Sequence, residues 1–173
     1  MKAPALFAIC LALTGVAHAE KTNFISGPGT YLYLAAGLGL PLLEKQNDHA
    51  LRTLDSLVLS TAIAELTSHT TNKPRPDGGR FSFPSEHTTA AFSIATMAST
   101  YHPEQAIYWF AGAAAIGQSR VQLRRHNWAD VIAGAGVGFA TSKWELSTPR
   151  GILVSPWIEP SARTYGVQIQ ARF

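Results

Sequence analysis

The sequence predicts an all-α fold: a compact helical bundle of about five core helices, closed by a short C-terminal β-hairpin. Three observations carry this. Apolar residues recur at helical spacing through most of the 173-residue chain. Stretches rich in proline and glycine interrupt them where helices would end. Only the tail beyond residue 150 turns to β-branched alternation.

The elements follow in order. "MKAPALFAICLALTGVAHAE" opens with a lysine and an apolar run and reaches a small-x-small site at Ala17-His18-Ala19. It reads as a secretory signal over 1–19, too short to span a bilayer. Cys10, the single cysteine, falls inside it. The mature chain would then have no disulfide, no thiolate nucleophile and no cysteine-ligated zinc. Export without disulfides suits a bacterial periplasm or cell envelope. Beyond the signal, the length fits one helical domain over 20–150 and a hairpin tail over 151–173.

Residues 30–46 read as an apolar helix interrupted by Gly37, Gly39 and Pro41. A second helix over 47–69 places Leu51, Leu54, Leu57, Val58 and Leu66 near helical spacing, with Asp48 as N-cap. "TTNKPRPDGGRFSFPS" holds Pro74, Pro76, Gly78, Gly79 and Pro84, so it is a loop. Ser85 caps a third helix, with Glu86 in its first turn. Pro103 and Glu104 start a fourth. "NWADVIAGAGVGFATSKWEL" is a fifth, whose glycines and alanines suit close helix packing. In the tail, strands over 152–159 and 165–173 flank a turn at 160–163.

Charge narrows the function. The formal charge is +3, or +2 once Lys2 leaves with the signal. No basic run is interleaved with aromatics, so nucleic acid is not an expected partner. Mean hydropathy of +0.05 fits a soluble or peripherally membrane-bound chain better than one built of spanning helices.

Against this sparing use of charge, "SRVQLRRHNWAD" gathers Arg120, Arg124, Arg125, His126 and Asp130. With "KPRP" (73–76) and "FPSEHT" (83–88) it forms three polar clusters at helix ends. Arg75 and Arg120 can each grip a phosphate-like oxyanion in bidentate fashion. Ser85 adds a hydroxyl and leads into the free N–H groups of a helix start. If a helix is entered near His126, Asp130 lies beside the imidazole, accepts Nδ1–H and leaves Nε2 as nucleophile. His87 is a second imidazole, able to protonate a leaving alkoxide. Lys73 belongs either to this phosphate cradle or to a solvated loop. Taken alone, His126 and Asp130 would be an ordinary i,i+4 pair; the company of the other clusters makes them a site for phosphoryl transfer. Trp128 within the cluster reads as a packing residue or the floor of the pocket.

"SRVQLRRHNWAD" resembles without gaps the third signature, S-R-x5-H-x3-D, of the type 2 phosphatidic acid phosphatase (PAP2) superfamily. "PSEH" is similar to its second signature, P-S-G-H, and Arg75-Pro76 to the end of its first, K-x6-R-P. The resemblance implies an all-helical phosphatase that works through a phosphohistidine without metal or other cofactor. It implies His126 as nucleophile, Asp130 as its orienting partner and His87 as general acid, with Arg75, Arg120 and Ser85 binding phosphate. Two positions depart from the signatures: Ser68 stands where the family has lysine, and Glu86 where it has glycine. A lost cation costs on the order of 10²-fold in rate. Glu86 either turns away or points in, where it would repel phosphate or raise the pKa of His87. An acid here resembles the P-S-D-H variant of undecaprenyl pyrophosphate phosphatases.

The expected function is a metal-independent cell-envelope phosphatase acting on a phosphomonoester or pyrophosphate, with a lipid phosphate favoured and peripheral membrane contact expected. Alternatives are a soluble periplasmic acid phosphatase, a vanadium haloperoxidase and a non-catalytic relative. Haloperoxidases of the superfamily normally keep the lysine and are much longer.

Overall fold

Small side chains set how closely the helices of this chain approach one another. A computed structural model describes residues 23–148, together with the backbone alone of 152–159 and 164–171. Over 23–148 the fold is all-α, as expected, with five helices. A π-helical turn, Ile25–Gly29, leads into α1, Thr30–Leu43. Then come α2, Asn47–Thr71, and α3, Glu86–Tyr101. A 3-10 turn, Pro103–Gln105, precedes α4, Ala106–Gln122, and α5 is Trp128–Ser147. The expected signal at 1–19 lies outside the described residues. So do the turn at 160–163 and every side chain of the expected hairpin, and the site involves none of them.

Two local expectations are corrected. Helix α1 runs through Pro41 without interruption, because the proline falls in the last turn, where few backbone bonds remain to be lost. Asp48 is not the N-cap of α2: Gln46 holds that position without a side-chain cap, and Asp48 sits in the first turn. There its charge still complements the helix dipole. The far end of α2 closes on Asn72 in the left-handed conformation, whose N–H bonds the carbonyl of Ser68 at 3.0 Å.

Helix α3 is the axis of the bundle and packs against the other four. Ala91 and Ala95 form one core cluster with Ala113 and Ile116 of α4, while Ala90 and Ile94 form another with Leu57 of α2. Tyr33 of α1 borders both clusters and donates its hydroxyl proton to the carbonyl of Trp109 at 2.7 Å. On the opposite flank, Ser56, Ser93 and Ser142 tie α2, α3 and α5 through hydroxyl contacts of 2.6–3.2 Å. Their small volumes allow the approach, and their mutual bonds remove the cost of burying them.

Helices α3 and α5 approach each other backbone to backbone. A Cβ at Gly138 would stand 2.3 Å from the carbonyl oxygen of Thr89, and one at Gly134 would stand 2.6 Å from that of Ser85. Backbone meets backbone there, so the N-terminus of α3 is seated on the first turns of α5. Among the described residues no helix is long and apolar enough to cross a membrane.

Candidate active site

All three polar clusters meet at one end of the bundle, where the last turns of α2 and α4 and the first turns of α3 and α5 converge. The loop from Asn72 to Ser85 folds over this end. Arg75 and Gly79 close a turn within it, with the Arg75 N–H donating to the Gly79 carbonyl at 2.7 Å and Gly78 at φ +91°. The Arg125 guanidinium then donates to Asp77 at 2.7 Å and pins the loop to the α4–α5 link. Arg125 thus has a structural role.

His126 lies in that link, ahead of α5, and is 3% exposed. Its Nδ1 is 2.7 Å from the backbone carbonyl of Ser82. A carbonyl only accepts, so Nδ1 carries the proton and Nε2 keeps its lone pair. Burial, and then the Arg120 guanidinium, push the imidazole pKa down to about 4. The ring is therefore neutral above about pH 4, with the Nε2 lone pair available.

Asp130 does not make the expected contact with His126. Its carboxylate accepts from Lys73 Nζ at 2.6 Å, Ser82 Oγ at 2.5 Å and the Asn127 N–H at 2.9 Å. The reason is the register of the helix. Asn127 is the N-cap and Asp130 the third helical residue of a capping box, so His126 precedes the helix and the i,i+4 geometry never forms. Burial alone would raise the Asp130 carboxyl, but its three hydrogen bonds outweigh that and hold it below the usual carboxylate range. Asp130 reaches the His126 ring through Ser82, whose hydroxyl it holds while the Ser82 carbonyl holds the ring.

Lys73, read as part of either the phosphate cradle or a solvated loop, places its ammonium on Asp130 and 5.7 Å from the Phe83 ring centroid. Arg120, in the last turn of α4, is 1% exposed and donates through Nη1 to Ser26 Oγ at 2.6 Å. Ser85 holds the N-cap position of α3, although its hydroxyl does not cap the helix. Instead its N–H donates to the Asp130 carbonyl at 3.0 Å, and its Oγ accepts from Thr88 at 3.0 Å. His87 follows in the first turn of α3 and is partly exposed, as is Arg75 in the loop. Trp128 is 57% exposed, so it neither packs in the core nor floors a buried pocket.

The two departures face each other. Ser68, buried in the last turn of α2, donates to Glu65 O at 3.0 Å and lies 3.4 Å from Glu86 Oε1. Glu86 therefore points inward, toward the end of α2. Burial, and then the charge of Glu65, raise its carboxyl above the usual range, with Arg75 opposing.

Ser82 and Ser26 were not legible as site residues. Ser82 sits between two phenylalanines in a loop, and its decisive atom is a backbone carbonyl. Ser26 is ninety-four positions from the arginine it holds.

The model of the PAP2 superfamily matches residues 59–151, which span all three clusters. Among solved structures, the crystal structure of Aquifex aeolicus LpxE is similar with a TM-score of 0.56 and 22% sequence identity, over 79% of this chain and 93% of that one. This likeness is one of fold. No curated protein matches the chain.

Proposed function

Since the chain belongs to the PAP2 superfamily, we propose that it is a phosphatase of the bacterial cell envelope that hydrolyses a lipid phosphate through a phosphohistidine, without a metal ion. The observation that carries this reading is the Nδ1–H of His126 held on the Ser82 carbonyl, which leaves the Nε2 lone pair of a neutral ring for attack.

Attack of Nε2 on phosphorus forms the P–N bond as the P–O bond to the leaving group breaks. His87 gives its proton to the departing alkoxide. Water then gives a proton back to His87 and attacks phosphorus. The P–N bond breaks, releasing inorganic phosphate and restoring His126. Arg75 and Arg120, with the Ser85 hydroxyl, carry the charge work on the phosphoryl oxygens that metal ions do elsewhere. Lys73 and Asp130 act behind them, by fixing Ser82.

A lipid substrate and a peripheral membrane position are supported by the outer face of α5. Trp128, Ile132 and Phe139 share one exposed stripe beginning beside the site. The apolar leader supports export.

The test is phosphate release, with EDTA present, from phosphatidic acid, undecaprenyl pyrophosphate and p-nitrophenyl phosphate, with H126A alongside. Metal-independent release lost in H126A, fastest on a lipid, is the expected result. Release from p-nitrophenyl phosphate alone would point to a soluble-substrate enzyme. Release that EDTA abolishes, or that H126A retains, would overturn the mechanism.

A further inference from the structure

The family lysine is replaced by Ser68 and a glycine by Glu86, and the structure brings these two positions to within 3.4 Å of each other. Where the signature would set a cation beside the phosphate, this chain sets a carboxyl. We propose that Glu86 is a specificity-determining residue that fits the site to the less charged, acid form of a phosphate group. The proposal rests on the phosphatase reading and names the substrate form that such a site accepts.

Glu86 is the first residue of α3, directly between Ser85 and His87 in the chain. The helix start that carries it is fixed, because the Ser85 N–H donates to Asp130 O. Ser68 faces it from α2, and Glu65 and His69 lie on that same helix, 3.9 Å apart. Arg75 faces it from the loop and His87 adjoins it on its own helix. Glu65 opposes ionisation of Glu86, whereas Arg75 and His69 favour it.

Two states follow. Protonated, Glu86 is neutral and can donate a hydrogen bond to a phosphoryl oxygen, leaving the field of Arg75 to the substrate. Ionised, it repels the anion and draws on the same guanidinium. A phosphomonoester loses its second proton near pH ~6. A rise in pH therefore adds negative charge to substrate and carboxyl alike, and the repulsion grows from both sides. His126 sets the other limit, since its ring is protonated below about 4. Between the two limits lies a window of mildly acid activity.

The sign is definite. Because Glu86 has a raised pKa, its neutral form persists above the usual carboxylate range and is lost as pH rises. Activity should fall on that side. The experiment is the pH dependence of kcat/KM on phosphatidic acid in detergent micelles, from pH 4.5 to 8.5, for the full chain and for E86Q, E86D and H126A. Alongside it, the Kd of inorganic phosphate is measured by calorimetry at pH 5 and pH 8.

In E86Q, kcat/KM at pH 8 should rise by about tenfold, with little change at pH 5, while E86D follows the parent profile. Phosphate affinity should diverge in the same way. If E86Q does not fold, E86A makes the same comparison. Parallel profiles for the parent and E86Q, or a Kd ratio that does not change with pH, overturn the proposal. If the parent releases no more phosphate than H126A at any pH, the phosphatase reading fails, and the calorimetric ratio still decides the role of Glu86.

Discussion

His126 is oriented by a backbone carbonyl, and this changes what its neighbours are worth. Where a carboxylate directly holds the catalytic imidazole, neutralising it costs about 10⁴-fold in kcat because the wrong tautomer results. In this protein D130N leaves the Ser82 carbonyl, and so the tautomer, in place. It should therefore lower kcat by only ~10–100-fold, by loosening Ser82 and Lys73. A loss near 10⁴-fold in a variant with native circular dichroism would mean that the carboxylate bonds the ring directly during turnover. The pH profile of kcat should fall on its acid side near about 4, where the buried ring takes up a proton; a break near 6.5 would show the imidazole to be solvated. Residue types made most of the site legible. His126, Asp130, Arg120, Arg75, Ser85 and His87 stand at one end of the bundle because their motifs fall at helix ends. What could not be read was which partner Asp130 takes. That depended on whether the helix begins at His126 or two residues later, and "HNWAD" holds a capping box as well as an i,i+4 pair. Glu86 was open for a similar reason, since its direction is set by Ser68 across the bundle.

The helices themselves were legible from spacing and punctuation, to within a few residues at each end. The glycines of α5 showed that something packs closely against it but not which glycine does the work. Gly134 and Gly138 face α3, whereas a Cβ at Gly136 would meet nothing within 4 Å. The two kinds of position predict opposite outcomes. G138A drives a methyl into the backbone of Thr89, an atom that cannot swing aside, and should destabilise by about 1–3 kcal/mol. It should also lower kcat/KM, because pushing α3 outward moves Ser85 and His87 away from His126. G136A adds helix propensity in open space and should stabilise by ~0.5–1 kcal/mol with activity unchanged. Thermal unfolding and phosphate release on the two variants check this, and equal effects on stability would sink it. The small-residue core seen on α3 follows the same logic: Ala90, Ala91, Ala95 and Ala98 are buried so that the helix can touch four others.

Across the whole molecule, two buried groups at opposite ends of the bundle, His126 and Glu145, respond to pH in opposite directions. At the end where the polar clusters meet, His126 has a folded pKa of about 4 against 6.5 when exposed. Its contribution to stability is complete above 6.5 and is lost as pH falls toward 4, because the unfolded chain binds the proton more readily. At the other end, Glu145 near the close of α5 is 1% exposed, and Arg52 Nε of α2 stands 3.8 Å from its Oε1. The Arg52 guanidinium also donates to the Thr148 carbonyl, so it is shared. Burial raises the Glu145 carboxyl above its ordinary value, and Arg52 only partly offsets this. A raised carboxyl favours the folded state below its unfolded pKa, and that advantage disappears as pH rises through the folded value. Across the mildly acid range the two slopes therefore oppose each other, His126 adding stability as pH rises and Glu145 losing it. In E145Q the ionisation cost is gone, so Tm at pH 8 should rise by about 2–4 °C per kcal/mol recovered, with a smaller change at pH 4.5, where a raised carboxyl is more fully protonated. Scanning calorimetry of both proteins at the two pH values reads the difference. If E145Q is less stable than the parent at pH 8, the attraction of Arg52 exceeds the cost of burial and the ion pair holds that end of the bundle together. If the gain appears, the carboxyl is a liability at neutral pH that the fold carries at the end remote from its chemistry.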